Sequence, residues 1–313
     1  MNKSPFSFIS YDHGTRFMNW FGVIDALRKG HQMPRPQLGD LLLGPAHETL
    51  LTRSAYIQGL GYAIKAETVY SNNTAKGLPS AHGTVILHEA ETGSIRAIIE
   101  SKLITEYKTA ADSVLGAQLL ARADSQHLVI AGAGRVARNL IYAYSTAFPK
   151  LQRISVWARK PEQSKKLVDS IQDIEIELEA VSNLQSIIKS ADIVSTTTRA
   201  SEPILKGDWI QPGTHIDLIG GYTPEMREAD DSLITKGRVF VDCRETTIDY
   251  VGDLTQPIAS GLITTADVHG DLYELLNTSV QRRNTPLEIT IFKNGGGAHL
   301  DLMVADYVAN VVS

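Results

Sequence analysis

The sequence predicts an α/β protein in which a doubly wound parallel sheet follows a smaller α+β segment. Between residue 127 and about residue 264, short apolar strands alternate with helical or loop stretches, a pattern typical of a parallel sheet. Residues 1–120 instead combine a helical start, FMNWFGVIDALRKG, with short strands. Two of these, GTVILHE and IRAIIE, flank the turn AETG, which predicts a hairpin with Gly93 at its tight position.

The strands of the second segment follow one another at βαβ spacing: HLVIAG, ISVWAR, IEIELE, ADIVSTT, THIDLIG and RVFVDC. The tail adds ADVHGDLYELLNT, a strand LEITIFK, the turn NGGG and an amphipathic helix, AHLDLMVADYVANVV. We expect this last helix to pack back onto the first segment. The chain of 313 residues is long enough for two domains. The predicted division is residues 1–120 together with helix 297–313, and residues 121–296.

Composition excludes several classes of protein. Hydrophobic residues make up 43% and charged residues 21%, which is ordinary for a globular chain. The net charge of −5 includes no basic block, so a nucleic-acid partner is not expected. No apolar run approaches the roughly 20 residues that cross a bilayer, and MNKSPFSFISYDHG has no signal-peptide core. We therefore expect a cytoplasmic protein without a membrane partner. The single cysteine, Cys243, has no companion ligands, so we expect a buried, inert thiol and no metal site.

The stretch HLVIAGAGRVA carries a dinucleotide-binding turn of the form Gly132-x-Gly134-x-x-Ala137. Gly132 allows a sharp bend, Gly134 lets the backbone approach a pyrophosphate, and Ala137 keeps the following helix close to the strand. A strand before the turn, a helix after it and a second strand at βαβ distance support this interpretation. The segment is thus predicted to be a Rossmann domain whose turn also contacts the cofactor through Arg135 and Val136.

The end of the second strand indicates which dinucleotide is bound. Arg159 and Lys160 occupy the place where an NAD enzyme usually has Asp or Glu, and no carboxylate precedes Glu162. A guanidinium matches a phosphate bidentately. We therefore expect NADPH as the preferred cofactor, with NADH possible.

Longer stretches resemble the ornithine cyclodeaminase/mu-crystallin family in order and spacing over nearly the whole chain. They are ITEYKTAADSVLGAQLLA, the GAG turn, DLIGGYTPEMREADDSLI, VFVDCRE, GDL at 252–254 and EITIFKNGGGAHLDL. The resemblance is strongest to the family's cyclic imino acid reductases. It implies a homodimer whose first domain carries substrate and dimer contacts, with the nicotinamide in the cleft between domains. It also implies cofactor contacts from Thr109, Thr198 and Gly220.

The family's chemistry concerns an imine next to a carboxylate, which requires cations for the carboxylate and a source of protons. The resemblance assigns these roles to Lys65 in GYAIKAET, to Arg35 in MPRPQ and to Lys108. Lys108 departs from the family's RTAA motif, which reads KTAA here. Lysine keeps the charge but loses the planar fork, so looser carboxylate geometry is expected.

Other candidates follow from the motifs near the expected cleft. Tyr222 stands where the cyclodeaminases carry an Asp, and a neutral phenol cannot replace a carboxylate at neutral pH. We expect Tyr222 to contact the substrate, although packing against the nicotinamide or the sheet edge is as consistent with its position. Asn294 is expected to bind substrate, and the glycine turn after it to bring backbone N–H groups to a ligand. Asp301 is as consistent with a structural role as with a catalytic one. His299 and His269 are weaker candidates for a proton donor, because a lone histidine is more often structural.

These observations predict an NAD(P)H-dependent reductase of a cyclic 2-imino acid. The substrate is Δ1-pyrroline-2-carboxylate, Δ1-piperideine-2-carboxylate or both, and the product is L-proline or L-pipecolate. Lys65 or a bound water would donate the proton. The alternatives are an ornithine cyclodeaminase, a dehydrogenase of linear imino or amino acids, and a non-catalytic, crystallin-like binding protein.

Overall fold

The computed structural model describes residues 6–45, 47–278 and 280–312, and its chain divides into two compact units. Unit 1 comprises residues 1–108 and 297–313, and unit 2 comprises residues 109–296. The predicted boundary at residue 120 lies twelve residues further on, and the functional roles of the two units stay predictions. Residues 1–5, part of the stretch without a signal-peptide core, lie outside the described residues. Within the described ranges, every helix is too short or too polar to span a membrane.

The strands and α-helices before the second unit are, in chain order, β1 (Ser7–Ile9), α1 (Tyr11–Gly14), α2 (Trp20–His31), β2 (Gln37–Leu43), β3 (Glu48–Ile57), β4 (Gly61–Tyr70), β5 (Ala81–His88), β6 (Ile95–Glu100) and α3 (Ser101–Leu120). The boundary between the units falls inside α3. The strands form one sheet in the order β1-β6-β5-β4-β3-β2. All its pairs are antiparallel except β1 with β6. The predicted hairpin is confirmed as β5 and β6, and Gly93 has φ +70°.

The second unit contains β7 (His127–Ala131), α4 (Arg135–Ala147), β8 (Arg153–Trp157), α5 (Pro161–Asp169), β9 (Glu177–Val181), α6 (Leu184–Ile188), β10 (Ile193–Thr196), β11 (His215–Leu218), α7 (Asp231–Lys236), β12 (Arg238–Val241), α8 (Arg244–Thr247), α9 (Gly252–Ala259), β13 (Val268–Asp271), α10 (Leu272–Asn277) and β14 (Thr290–Lys293). The helix α11 (Ala298–Val312) returns to unit 1 and packs on α2, β3 and β4. Short 3-10 helices cover Thr15–Phe17, Ser71–Lys76, Gly207–Trp209 and Thr265–Asp267.

The sheet of unit 2 confirms the predicted α/β class. Its order is β13-β12-β14-β11-β10-β7-β8-β9, and every pair is parallel. From β7 the chain moves outward through β8 to β9 and then crosses back to β10 on the other side of β7. Such a reversal of strand order opens a crevice at the carboxyl ends of the strands, where ligands bind in folds of this type.

Two details of the predicted sheet were wrong. The strand predicted as IEIELE begins three residues later, at Glu177, because Ile174 and Ile176 precede the paired stretch. The alternation also continues beyond residue 264, since β13 and β14 join the same sheet and β14 inserts between β11 and β12. The four residues of β14 are all buried, as expected for a central strand of a parallel sheet.

Candidate active site

The turn after β7 has the geometry that its glycines predict. Gly132 has φ +134°, and a Cβ there would lie 2.1 Å from Thr197 Oγ1, so a side chain is excluded by both backbone and space. Its N–H donates to Trp157 O at 2.8 Å, which fixes the bend against β8. Ala137 is completely buried against the sheet.

Gly134 leaves the same turn open to a ligand. It caps α4 without a side-chain hydrogen bond, and a Cβ at this position would have no atom within 4 Å. The first turn of α4, residues 135–137, precedes the first intrahelical hydrogen bond, from Arg138 N–H to Gly134 O at 3.1 Å. An open backbone at the N-terminus of a 13-residue helix fits the pyrophosphate of a dinucleotide.

Arg159 and Lys160 lie at the same edge of the sheet as this turn. They follow β8, which runs parallel to β7, and both are exposed. Lys160 also caps α5 without a side-chain hydrogen bond. Their side chains therefore have room to meet a phosphate beyond the strand.

One buried carboxylate holds the two loops that follow β10 and β11. Glu228 Oε1 accepts from the N–H and the hydroxyl of Thr198, both at 2.7 Å. Its Oε2 accepts from Thr196 Oγ1 at 2.6 Å and from Gly220 N–H at 2.7 Å. Thr198 and Gly220, two predicted cofactor contacts, are thus fixed by one residue that was not predicted as a site residue.

A buried ion pair supports Glu228. Asp253 Oδ1 accepts from the N–H groups of Glu228 and Ala229 at 2.8 and 3.1 Å. The other oxygen of Asp253 lies 3.2 Å from Lys293 Nζ, and neither side chain is exposed. Burial raises the pKa of Glu228, and the positive charge of Lys293 opposes that rise. Lys293 thereby compensates two buried carboxylates at once.

The polar groups of the loop after β14 form hydrogen bonds with other residues of the protein. Asn294 Nδ2 donates to Thr109 O at 3.1 Å and to Ser113 Oγ at 3.0 Å. The N–H groups of Gly295 and Gly296 donate to Asp242 Oδ2 at 3.0 and 2.5 Å. The expectation that these two N–H groups reach a ligand was therefore wrong, because a buried carboxylate takes both.

In unit 1, Lys65 lies on the buried face of β4, with only 6% of its side chain exposed. Its Nζ donates to Thr105 Oγ1 of α3 at 2.8 Å and lies 3.3 Å from Glu67 Oε2. Glu67 in turn accepts from Ser101 Oγ at 2.8 Å. Two of the three ammonium hydrogens thus face fixed acceptors, and one direction is left for a ligand.

Lys108, one turn further along α3, is paired with Asp301 at the start of α11. Their charged atoms lie 2.6 Å apart, and Lys108 also donates to Gly297 O at 3.2 Å. Burial lowers the pKa of Lys108 to about 8, although Asp301 opposes the shift. Burial alone would raise the pKa of Asp301, but Lys108 and Lys65 bring it below its usual value.

Arg53 joins this group from the neighbouring strand. It is the direct partner of Lys65 across β3 and β4, and it lies in an ion pair with Asp40, with 3.0 Å between Nε and Oδ2. Its charge contributes to lowering the pKa of Lys108 and of Asp301. The side chains of unit 1 thus form a charged cluster, defined here as Arg53, Lys65, Glu67, Lys108 and Asp301.

A sequence profile of the ornithine cyclodeaminase/mu-crystallin family matches residues 18–313. The chain belongs to this family. A Δ1-pyrroline-2-carboxylate reductase of Paracoccus denitrificans is 50% identical over 306 residues, covering 98% of this chain and 97% of that protein. The ketimine reductase mu-crystallin of Mus musculus is 31% identical over 244 residues, covering 78% and 74%. A structure of Thermococcus litoralis Δ1-pyrroline-2-carboxylate reductase, with NADH and L-proline, has a TM-score of 0.91 at 27% identity and covers 97% of each chain.

The resemblance noted from the sequence is thereby confirmed, whereas the individual roles it implies stay predictions. Of the predicted substrate residues, Lys65 and Lys108 lie in the charged cluster with Asp301. Arg35 lies exposed in the loop before β2, and Tyr222 is 58% exposed in unit 2.

The remaining candidates differ in burial. His299 is buried beside His31, and burial holds its pKa well below the usual value, so at neutral pH it is a neutral imidazole and not an imidazolium acid. His269 is exposed near Phe240. Cys243 is buried, as predicted, and burial raises the pKa of its thiol.

Sequence reasoning missed Arg53, Glu67, Glu228, Asp253 and Lys293. A signal for the first two was present, because the hairpin turn QGLG pairs Arg53 with Lys65 and the strand period places Glu67 on the same face as Lys65. The other three lie in stretches that carry the family resemblance, but no local pattern indicated that they meet, which happens only in the folded sheet.

The four hydrogen bonds that Glu228 accepts predict that Glu228→Gln destabilises the protein. A carboxamide offers one acceptor oxygen, so the donors on its other side lose their partner and meet an NH₂ group. We expect the free energy of unfolding to fall by about 2–5 kcal/mol, measured by urea denaturation. The exposed Glu225→Gln is the matched control and should change it by less than about 0.5 kcal/mol. Equal stability of the two variants would contradict the role of Glu228 in holding the two loops together.

The lowered pKa of Lys108 predicts a pH-dependent contribution to stability. Below about pH 8 the lysine is charged in the folded and unfolded states, and its burial cost is fully present. Between about 8 and the ordinary value of 10.5, only the unfolded state holds the proton, so stability rises with pH.

The measurement is the free energy of unfolding of the natural protein minus that of Lys108→Met. We expect this difference to increase by roughly 1–3 kcal/mol between pH 8 and 10. The exposed, ion-paired Lys29→Met should give a flat difference. A flat or falling difference for Lys108 would show that the lysine is not buried as a charged group.

Proposed function

We propose that the protein reduces a cyclic 2-imino acid with a nicotinamide cofactor. The substrate is Δ1-pyrroline-2-carboxylate, Δ1-piperideine-2-carboxylate or both, giving L-proline or L-pipecolate. The observation that carries the proposal is the buried Lys65, oriented by Thr105 and Glu67, in a chain half identical over 98% of its length to a Δ1-pyrroline-2-carboxylate reductase. The Thermococcus protein, bound to NADH and L-proline, supports a nicotinamide and an imino acid as the ligands.

The reaction adds a hydride to the carbon and a proton to the nitrogen of one C=N bond. When bound, the reduced nicotinamide supplies the hydride. Gly132, Gly134 and the first turn of α4 would hold its pyrophosphate. Thr198 and Gly220, whose N–H groups donate to Glu228, would contact the cofactor at the ends of β10 and β11 through their other atoms. Lys65 uses its remaining N–H for the substrate, either to bind the carboxylate or to protonate the imine nitrogen. Glu67, 3.3 Å from Lys65 Nζ, forms an ion pair with that ammonium.

Tyr222 weighs against cyclodeamination. Releasing ammonia from a diamino acid needs a base or an anion near the side-chain amine, and an exposed neutral phenol provides neither. Reduction of a ring that already exists needs no such group. The absence of a carboxylate at position 222 therefore favours the reductase over the deaminase.

The apolar outer face of the six-stranded sheet supports a homodimer. Phe8, Ile98, Ile86 and Ile64 form one row across four strands, and Phe8 is 62% exposed. The edge strand β2 adds exposed Leu41 and Leu43 on the same face, which Gly39 shares through its pairing with Ser54. Exposed apolar patches of this kind mark contacts between proteins. A second copy of the chain would cover this face.

The function is tested with purified protein, both cyclic imines, and NADH or NADPH. We expect rapid reduction of at least one imine and no ammonia release from L-ornithine with NAD⁺. Lys65→Ala should lower kcat/KM for the imine by at least about a thousandfold, since it removes both a carboxylate contact and a proton source. Its NADPH binding, followed by fluorescence, should be unchanged.

The exposed Lys29→Ala serves as the control and should retain full activity. Ammonia release from ornithine by the natural protein would instead establish a cyclodeaminase. Cofactor binding without turnover of any imine would favour a ligand-binding protein.

We further propose that NADPH is preferred, because Arg159 and Lys160 lie exposed where the 2′-phosphate would bind. Arg159→Ala should raise KM for NADPH about ten- to a hundredfold, the effect of one lost charge-assisted hydrogen bond. KM for NADH should change by less than about twofold. Arg138→Ala removes the same charge from the adjacent helix α4 and is the control variant. An equal loss with both cofactors would refute the preference.

A further inference from the structure

The row of residues across β2, β3 and β4 places two cations side by side. Asp40 pairs with Arg53, and Arg53 pairs with Lys65. Direct partners in an antiparallel sheet project to the same face, with Cβ atoms about 4.5–5.5 Å apart. Like charges at this spacing repel each other unless an anion lies between or beside them. The row therefore has the charge pattern of an anion site.

The neighbouring cation of α3 is less available to such an anion. Lys108 lies 2.6 Å from Asp301 and has 7% of its side chain exposed, so its charge is already matched inside the protein. Arg53 has 32% of its side chain exposed, although its Nε is buried. The two Nη groups lie beyond this nitrogen, at the outer end of the side chain. Asp40 lies at the Nε edge, 3.0 Å away, and orients this fork.

We propose that Arg53 binds the carboxylate of the substrate through its two Nη groups, together with Lys65. This assignment rests on the proposed function for the identity of the substrate. Arg53 then selects substrates that carry a carboxylate over neutral analogues, because a guanidinium fork matches both carboxylate oxygens. Asp40 is a positioning residue that sets the orientation of the fork.

The geometry favours Arg53 over Arg35 for this role. The row of Arg53 and Lys65 meets β2 at Asp40. Gln37, where β2 begins, lies three residues before Asp40, which is about 10 Å along the strand. Arg35 lies two residues before that, outside the strand. Arg53 is one strand away from Lys65, about 5 Å.

The test uses pyrrole-2-carboxylate, a planar five-membered ring with the carboxylate but no reducible imine, and the neutral pyrrole-2-carboxamide. Isothermal titration into the full-length protein with bound NADP⁺ measures both affinities. We expect Arg53→Met to weaken carboxylate binding about ten- to a hundredfold and to remove the preference over the carboxamide. In turnover, KM for the imine should rise more than kcat falls.

Matched variants make the result specific. Arg53→Lys keeps the charge without the fork and should recover only part of the affinity, and it remains informative if Arg53→Met fails to fold. The exposed Arg16→Met should bind as the natural protein does. Carboxylate affinity within twofold of the natural protein in a folded Arg53→Met variant, or a larger loss in Arg35→Met, would overturn the assignment. Since binding is measured without turnover, absence of imine reduction would refute the proposed function alone.

Discussion

The carboxyl edge of the eight-stranded sheet depends on the buried carboxylate of Glu228. Four donors from two loops converge on its two oxygens, and an ion pair of Asp253 with Lys293 lies behind it. An isolated carboxylate buried in this way would take up a proton or unfold the site. Lys293 prevents this, because one cation at the end of a central strand compensates two anions. The loops that would face a dinucleotide are therefore joined to each other through the hydrogen bonds of Glu228.

In unit 1, the buried charges are arranged differently from those around Glu228. Lys108 and Asp301 neutralise each other, with almost no exposure on either side chain. Lys65 and Arg53 retain unused hydrogen-bond donors, and their anionic neighbours, Glu67 and Asp40, contact them from one side only. A closed ion pair holds α3 to α11, whereas Lys65 and Arg53 are the cations for which we propose a ligand.

Local sequence patterns were sufficient to predict the fold class and part of the candidate site. Gly132 is required by its φ of +134°, and the sharp turn follows from a strand-turn-helix pattern visible in eleven residues. The close approach of Thr197 is a long-range contact that this local pattern does not give. Glu228, Asp253 and Lys293 could not be predicted in this way, because 65 residues separate the first from the last and only strand order brings them together. The position of β14 between β11 and β12 decides that meeting, and strand order is not encoded in local periodicity.

The lysine at position 108 gains a physical explanation from the same charges. An ammonium is a compact charge that one carboxylate can match, and Asp301 does so at 2.6 Å. A guanidinium in its place would keep unused donors after pairing with Asp301, and these could extend to a substrate. With lysine there, the planar fork has to come from elsewhere, and Arg53 presents one beside Lys65. Under the proposed assignment, the carboxylate is recognised from the sheet, by Arg53 and Lys65, and α3 keeps the ion pair that holds α11.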